Sequence, residues 1–380
     1  MKIIFVTEIQ DPIMSKSSTN ILTKNLLIGF RENGWNIHLV GVLDGKFMEN
    51  NVRNYYKEYV DDIIIVKSKM RSYDSNKKYI RLFQDLVSIL FTSKYEKEVG
   101  IIIVECDSII VSHTPSIEAS FVAKAIKKQF NIKKYIQFWS DPIALAGISI
   151  KTFGVKRYPH YIIEKTILRW ADIIVYLGEP LMVQQSKLYP TLACKMNSVP
   201  GCYRSADSID SNESILKERP LFGYSGSYNP YARNILPLYQ TFTSNSKADL
   251  KIIGKKAVKL EEKANIKLVD YVVEDKIMDI EKEFDVIVCL TNHSTVQIPG
   301  KIFYSANKNK IILVILDGEH ADETKRYLEQ FKRFEFCYNN ESSIKSAIDR
   351  IVSGECKIDM SKVEKLSPKS VAAAICNEYF

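Results

Sequence analysis

The chain has 380 residues, of which 46% are hydrophobic and 26% are charged, with only 15 Gly and 12 Pro. This composition excludes collagen-like, low-complexity and disordered chains, and the length is sufficient for two domains that each bury a core. The seven cysteines are scattered and include no C-x-x-C pair. We therefore expect reduced thiols and no zinc or redox centre built on cysteine.

The net charge of +8 is modest, and no dense basic tract or ordered basic-aromatic alternation indicates nucleic-acid binding. Residues 1–210 contain about 28 basic and about 21 acidic side chains, whereas the remainder is nearly balanced. This excess has two interpretations: solvated lysines, or a surface for a phosphorylated or anionic-membrane partner. Because the chain lacks a secretory leader pattern and any apolar run of about 18 residues, we expect a cytoplasmic protein.

The first half alternates short apolar, β-branched runs with amphipathic helical patterns, as in a parallel doubly wound sheet. Strands are predicted at residues 3–7, 35–42, 62–66, 108–112, 134–138 and 172–176, and helices at 21–30, 78–95, 117–130 and 161–170. The helix at 78–95 has an apolar face flanked by basic residues. It is predicted to pack on the core, and the alternative is that it lies on a membrane surface.

The second half repeats this alternation after a polar segment without periodicity, residues 201–220, which is typical of a linker. Strands are predicted at 221–224, 250–253, 267–269, 285–290, 310–316 and 335–338, with a helix from about residue 232 and a last helix over 367–380. We therefore expect an N-terminal domain over 1–200, a C-terminal domain over 221–366, and a separate terminal helix.

Ligands of doubly wound sheets bind at the loops that follow the strands. The sequence has no G-x-G-x-x-G after the first strand, no P-loop and no H-E-x-x-H, which argues against common NAD enzymes, P-loop NTPases and zincins. Ser225-Gly226-Ser227 follows a predicted strand, and its small residues allow backbone N–H groups to face an anion. Arg233 is expected in the first turn of the next helix.

A second loop, Pro299-Gly300, is predicted to open a helix with Lys301 in its first turn. A cation there opposes the helix dipole unless an anion lies close by. The sequence thus indicates either an anion site or a solvated lysine.

These residues resemble a known family. Pro299-Gly300-Lys301-Ile302-Phe303, followed by Lys310-Ile311-Ile312-Leu313, is similar to the signature of glycosyltransferase family 4, retaining enzymes of the GT-B fold. Tyr224-Ser225-Gly226-Ser227 and Asp141-Pro142 also resemble segments of that family. The resemblance implies an α/β protein with two Rossmann-like doubly wound domains facing across a cleft. The N-terminal domain would bind the acceptor, the C-terminal domain would bind the donor, and the terminal helix would cross back to the N-terminal domain.

The resemblance also implies site residues and a donor. Lys301 would neutralise the leaving nucleoside diphosphate, and Asp141 would orient an acceptor hydroxyl or take its proton. The donor would be a UDP- or GDP-sugar, with no metal or other cofactor required. The other implied donor-binding residues are Gly226, Ser227, Arg233, Pro299, Gly300 and Tyr304. Ser18 and Thr19 stand in the first loop, where the family has a glycine pair, and are candidates for the acceptor or cleft. His113 follows a predicted strand and is a further candidate for the cleft. A structural role for His113 is an equal alternative.

Two glutamates of the family motif are replaced here by Val296 and Tyr304, so three functions stay open. The preferred one is a transferase acting on a glycan or polyprenyl-linked acceptor in cell-surface polysaccharide synthesis, peripheral on the inner face of the plasma membrane. The alternatives are a catalytically inactive GT-B subunit bound to a partner enzyme and a sugar-nucleotide epimerase.

Overall fold

The computed structural model describes most of the chain. The described residues are 1–9, 18–43, 49–68, 95–99, 107–114, 117–147, 151, 153–205, 216–229, 231–244, 247–254, 258–270, 272, 274–356, 359–361 and 363–376. The chain divides into two units. The first unit comprises Met1–Cys202 with Ser367–Phe380, and the second comprises Tyr203–Leu366.

A seven-stranded parallel sheet forms the centre of the first unit. Its strands are β1 (Lys2–Ile9), β2 (Asn36–Leu43), β3 (Asp62–Lys67), β4 (Ile109–Thr114), β5 (Lys134–Trp139), β6 (Ile173–Leu177) and β7 (Met196–Val199). Their spatial order is β3-β2-β1-β4-β5-β6-β7. The order reverses between β1 and β4, which is the switch point of a doubly wound sheet.

The second unit has a six-stranded parallel sheet. Its strands are β8 (Leu221–Ser225), β9 (Asp249–Ile253), β10 (Ile266–Val269), β11 (Val286–Leu290), β12 (Ile311–Leu316) and β13 (Glu335–Tyr338), in the order β10-β9-β8-β11-β12-β13. Strands β11 and β12 are buried along their whole length. Such strands read as continuous apolar runs because helices cover both faces of the sheet.

Helices surround both sheets. They are α1 (Ser18–Glu32), α2 (Glu49–Tyr56), α3 (Glu96–Val99), α4 (Ile117–Phe130), α5 (Tyr158–Leu168), α6 (Glu179–Leu188), α7 (Leu236–Thr243), α8 (Glu274–Lys282), α9 (Lys301–Tyr304), α10 (Ala321–Glu329), α11 (Glu341–Val352) and α12 (Pro368–Cys376). Within the described ranges, none of the helices is both long enough and apolar enough to cross a bilayer.

The terminal helix α12 belongs to the first unit, where it packs on α1. A Cβ atom on Gly29 of α1 would lie 2.0 Å from the Pro368 carbonyl oxygen, so glycine is needed for this close approach. The Asn33 side chain also donates a hydrogen bond to the Lys369 carbonyl over 2.9 Å. The predicted return of this helix to the first unit is confirmed.

The α/β class with two parallel sheets is also confirmed, and the predicted strands agree with the observed ones within one or two residues. Strand β7 and helices α2, α3, α6, α8, α10 and α11 were not predicted. The predicted helix at 78–95 lies almost entirely outside the described residues, as does the middle of the predicted linker, 206–215. At the start of that segment, Cys202 is buried in the core of the first unit and Tyr203 packs on the core of the second.

Candidate functional site

In the second unit, the loops that follow β8 and β9 touch each other. The Gly226 N–H donates to the Ile253 carbonyl over 2.8 Å. A Cβ atom on Gly254 would lie 2.0 Å from the Gly226 carbonyl oxygen, so only glycine permits this contact. Ser227 is exposed beside it, and its carbonyl accepts a hydrogen bond from the Tyr224 hydroxyl over 3.0 Å. We call Gly226 and Ser227, which follow β8, the Gly226 loop. These contacts fix the loop at the C-terminal ends of the parallel strands, which we call the carboxyl edge of the sheet.

Lys301 reaches the same edge from α9. Its ammonium donates hydrogen bonds to the Ser225 carbonyl and, over 3.1 Å, to the Ser225 hydroxyl. Burial lowers the pKa of Lys301. The solvated-lysine interpretation is thus wrong. The expected opposition between Lys301 and a helix dipole does not apply, because α9 is only four residues long and a single turn has little macrodipole.

Glu281 on α8 lies beneath these residues. Its carboxylate accepts a hydrogen bond from the Ser225 hydroxyl over 2.6 Å. It also lies 3.3 Å from the Lys308 ammonium and 3.7 Å from Nη1 of Arg204. Although burial raises the pKa of Glu281, the charges of Lys308, Lys301 and Arg204 outweigh it and hold that pKa below its ordinary value.

We refer to Ser225, Glu281, Arg204, Lys301 and Lys308 as the Glu281 cluster. It places three basic side chains around one carboxylate. Positive charge is therefore in excess beside the Gly226 loop, at the carboxyl edge of the sheet. An excess of buried positive charge favours binding of an anion. Of the charged members, Lys301 alone could be predicted from the sequence, because the others come from separate segments that no motif links.

The expected position of Arg233 in a helix was wrong, because α7 begins only at Leu236. Instead, the Asn229 side chain accepts a hydrogen bond from the Ala232 N–H over 2.7 Å, and Asn229 pairs with Arg233 through the backbone. Nε of Arg233 donates to the Asn292 side chain over 3.0 Å. Because Asn292 follows β11, Arg233 still lies at the carboxyl edge of the sheet.

Tyr304 stands where the family has a glutamate, and it supports the neighbouring residues. Its hydroxyl lies over Gly300, where an added Cβ atom would be 2.8 Å away. The Arg204 guanidinium faces its ring at 5.4 Å, within the range of a cation–π interaction. Tyr304 and Val296 are both buried, whereas Pro299 is half-buried at the start of this turn. Glu281 supplies this region with a carboxylate from another element.

In the first unit, Asp141 follows β5 and is exposed. The Ser140 hydroxyl lies 3.1 Å from the Asp141 carboxylate and 3.2 Å from Nε2 of His113. His113 is the penultimate residue of β4 and is buried, and its Nδ1 lies 3.1 Å from the Thr23 hydroxyl. Burial lowers the pKa of His113 to about 3, so the ring is neutral at pH 7.

These contacts form one chain of hydrogen bonds. A neutral imidazole donates through one nitrogen and accepts through the other. The Ser140 hydroxyl donates its one proton to the Thr114 carbonyl over 2.9 Å or to the Asp141 carboxylate. In either case Nε2–H of His113 donates to Ser140, and the Thr23 hydroxyl donates to Nδ1. His113 therefore lies behind Asp141 and supports it from within the core.

Ser18 and Thr19 begin α1, on the same helix as Thr23. Thr19 is partly buried, and it precedes Thr23 by four residues, which places the two on one face of the helix. The structure thus places Thr23, His113 and Asp141 at the ends of β4 and β5, with Thr19 one turn before Thr23 on α1. The residues just before α1, 10–17, are outside the described part of the chain.

Comparison with family models and with curated proteins finds no match to this sequence. Solved structures do match in three dimensions. The lipopolysaccharide outer core galactosyltransferase WaaB has 12% identity and a TM-score of 0.59, over 98% of this chain and 95% of that chain. Anabaena Alr3699/HepE, solved with UDP and glucose, has 10% identity and a TM-score of 0.55, over 98% and 95%.

A UDP-GlcNAc 2-epimerase from Neisseria meningitidis, solved with UDP-GlcNAc, is also similar in structure. It has 10% identity and a TM-score of 0.51, over 99% of this chain and 97% of that chain. At such low identity the likeness defines the architecture alone. The matches run over nearly the whole chain and agree with its two parallel sheets, so this protein has the GT-B fold.

Proposed function

We propose that this protein is a glycosyltransferase that takes a sugar from a nucleotide-sugar and transfers it to a glycan or lipid-linked acceptor. The observation that carries the proposal is the Glu281 cluster, which places buried, excess positive charge beside the Gly226 loop. A nucleoside diphosphate is an anion of matching chemistry, because its phosphates accept hydrogen bonds from both ammonium and backbone N–H groups.

In this proposal the second unit binds the donor. Ser227 offers its backbone N–H group to the diphosphate, Gly226 lets the diphosphate approach the backbone closely, and Arg233 adds a guanidinium at the same edge of the sheet. Lys301 stabilises the charge that grows on the leaving diphosphate, which is the role a divalent cation has in other transferases. Retention of configuration and independence of metal are part of the proposal.

The first unit supplies the acceptor side. Asp141 is an exposed carboxylate at the end of a buried strand, held through Ser140 and His113, and such a group can orient a hydroxyl and accept its proton. We propose that the acceptor is a growing cell-surface polysaccharide or its polyprenyl-linked precursor. The protein would then work in the cytoplasm, on the inner face of the plasma membrane.

Nucleotide-sugar binding is the first test. The melting temperature is measured with a panel of UDP- and GDP-sugars, because a ligand that binds only the folded chain raises it by mass action. UDP-sugars are tried first, since Alr3699/HepE has been solved with UDP-glucose. We expect one sugar nucleotide to raise the melting temperature of the wild type and to have a much smaller effect on Lys301→Ala. The absence of a shift with every nucleotide-sugar would contradict the proposal.

An epimerase is the second candidate, favoured by the structural likeness to UDP-GlcNAc 2-epimerases. Incubation with the donor alone distinguishes the two activities. An epimerase converts the sugar nucleotide into its epimer, whereas a transferase leaves it intact or slowly hydrolyses it. Tight donor binding without turnover in the presence of candidate acceptors would instead favour an inactive subunit.

A further inference from the structure

The segment that leads into α5 exposes several large apolar side chains. Val155 is 91% exposed, Tyr158 55% and Ile162 40%. Val155 lies in a 3-10 turn, Val155–Arg157, that continues directly into α5. Spacings of three and four residues place the three side chains on one side of the helical segment. They therefore form a single outward-facing apolar strip.

Basic residues border this strip. Lys165 follows Ile162 by three residues on the same side of α5, and Lys156 and Arg169 are exposed near its two ends. Between Pro142 and Ala171 the sequence contains one acidic residue, Glu164. That carboxylate is fully buried and faces inward, where it accepts a hydrogen bond from the Ala144 N–H. The exposed charge along the segment is thus positive.

We call Val155, Tyr158 and Ile162, with Lys156, Lys165 and Arg169, the α5 face. Stacked tyrosine rings connect this face to the core of the first unit. The ring of Tyr158 stacks on Tyr161 at 5.7 Å, and Tyr161 stacks on the buried Tyr189 at 5.0 Å.

Two polar contacts hold the same segment in place. The Lys165 ammonium donates to the Tyr161 hydroxyl over 3.0 Å, and Arg157 donates to the Ala146 carbonyl over 2.9 Å. The apolar strip is therefore presented by an ordered scaffold.

We propose that the α5 face docks this protein on an anionic lipid surface. Val155, Tyr158 and Ile162 would enter the headgroup region, and the surrounding cations would pair with lipid phosphates. An apolar strip with basic flanks is the pattern of helices that lie in the membrane interface, and tyrosine is enriched at that depth. The docking proposal rests on the proposed function in one respect only: docking would bring the protein to a lipid-linked acceptor.

Charge and shape favour lipid over a protein partner. A side chain as exposed as Val155 projects from the surface, so a protein partner would need a matching apolar pocket surrounded by carboxylates. A fluid anionic headgroup layer accepts projecting side chains of any shape and supplies the negative charge. The α5 face also lies on one continuous segment of the first unit, which contains the basic excess seen in the sequence.

Vesicle co-sedimentation of the full chain tests the proposal. Vesicles of phosphatidylcholine alone are compared with vesicles that also contain phosphatidylglycerol, at low and high salt. We expect binding to the anionic vesicles only. A triple variant, Val155→Ser, Tyr158→Ser and Ile162→Ser, should reduce that binding about tenfold or more, because it removes the apolar groups that would enter the headgroup region. Lys156→Gln with Arg169→Gln should weaken binding at low salt and matter less at high salt.

The matched control is Tyr231→Ser with Tyr338→Ser, which removes two exposed tyrosines of the second unit and should leave vesicle binding unchanged. Near-ultraviolet circular dichroism confirms that each variant is folded. Equal binding by the triple variant and the wild type would overturn the proposal, as would equal binding to neutral and anionic vesicles. The nucleotide-sugar thermal shift is measured on the same samples. If that shift persists while vesicle binding fails, only the docking proposal is wrong, and the reverse result contradicts only the proposed function.

Discussion

The backbone N–H of Ala144 donates a 2.6 Å hydrogen bond to the carboxylate of Glu164. Ala144 lies three residues after Asp141, in the loop that follows β5, whereas Glu164 is fully buried on α5. The Tyr189 hydroxyl donates to the same carboxylate oxygen over 3.1 Å. A buried acid therefore fixes the loop that carries the proposed acceptor-binding carboxylate.

Glu164 should make the folding stability fall as pH rises from about 4.5 to about 7. Burial raises the pKa of Glu164 from 4.5 to about 7 in the folded chain. Between these values the folded chain binds more protons than the unfolded chain, so rising pH favours unfolding. Relative to the wild type, Glu164→Gln should gain about 3 kcal/mol in free energy of unfolding between pH 4.5 and pH 8. Urea unfolding across this range measures it, and parallel curves for the two proteins would contradict the prediction.

His113 should have the opposite effect. Its pKa is lowered from 6.5 to about 3 by burial, so below pH 6.5 the unfolded chain binds more protons and stability falls as pH falls. From pH 4.5 to 6.5 the slopes from His113 and Glu164 oppose each other. Each is about 1.4 kcal/mol per pH unit at most.

The single variants should therefore separate the two slopes. Stability should rise with pH in Glu164→Gln and fall with pH in His113→Gln, compared with the wild type. The double variant should return to the weak pH dependence of the wild type within this window. Two single variants whose stability changes in the same direction would show that these groups do not control it.

Asp141→Asn should lower kcat by roughly 10²-fold or more and leave donor affinity nearly unchanged, because the amide cannot accept the acceptor's proton. Ser140→Ala retains the carboxylate but removes its hydrogen-bond partner, so its loss should be smaller. Asp107→Asn, an exposed aspartate elsewhere in the first unit, is the control. An unchanged kcat for Asp141→Asn would assign Asp141 to a structural role.

Lys301→Ala should lower kcat/KM by roughly 10²- to 10³-fold, because it removes a charge placed where the leaving diphosphate becomes more negative. Stability should also fall by about 1–3 kcal/mol, since both hydrogen bonds to Ser225 are lost. Lys345→Ala on α11, an exposed lysine, should change neither quantity. Wild-type turnover by Lys301→Ala would remove the main support for the donor site.

Gly254→Ala should weaken nucleotide-sugar binding, because the new methyl group would displace the Gly226 carbonyl that now lies 2.0 Å from its position. Gly354→Ala is the matched control. Gly354 also has a positive φ, +74°, but no atom lies within 4 Å of an added Cβ. Gly354→Ala should therefore destabilise the fold only by backbone strain of about 1 kcal/mol. Isothermal titration should show a lower affinity for Gly254→Ala alone. Equal affinities for both variants would contradict the role assigned to the Gly226 loop.

The fold could be predicted where one residue pattern determines the local structure. Buried strands such as β12 are continuous apolar runs, and these were placed correctly. Strand β7 was missed because Met-Asn-Ser-Val is short and half polar, as expected for the edge of a sheet. The start of α7 was misplaced because Asn229 forms a side-chain turn that competes with the helix.

The candidate site was only partly predictable for a different reason. Lys301 and Gly226 stand in recognisable local motifs, whereas Glu281 and Arg204 reach the Glu281 cluster through tertiary packing across long sequence separations. In the same way, nothing local in the sequence shows that Glu164 binds the loop after β5. A single sequence carries no signal for such contacts, because any amphipathic helix contains charged residues at similar spacing.

The packing of α12 on α1 also has a consequence for biosynthesis. Residues 368–376 are translated after every residue of the second unit, so the first unit stays without one of its helices until the second unit has been synthesised. Domains commonly acquire structure in the order in which they emerge from the ribosome. Here the first unit, although it emerges first, is completed last. Until α12 is synthesised, the side of α1 around Gly29 therefore stays uncovered on the nascent chain.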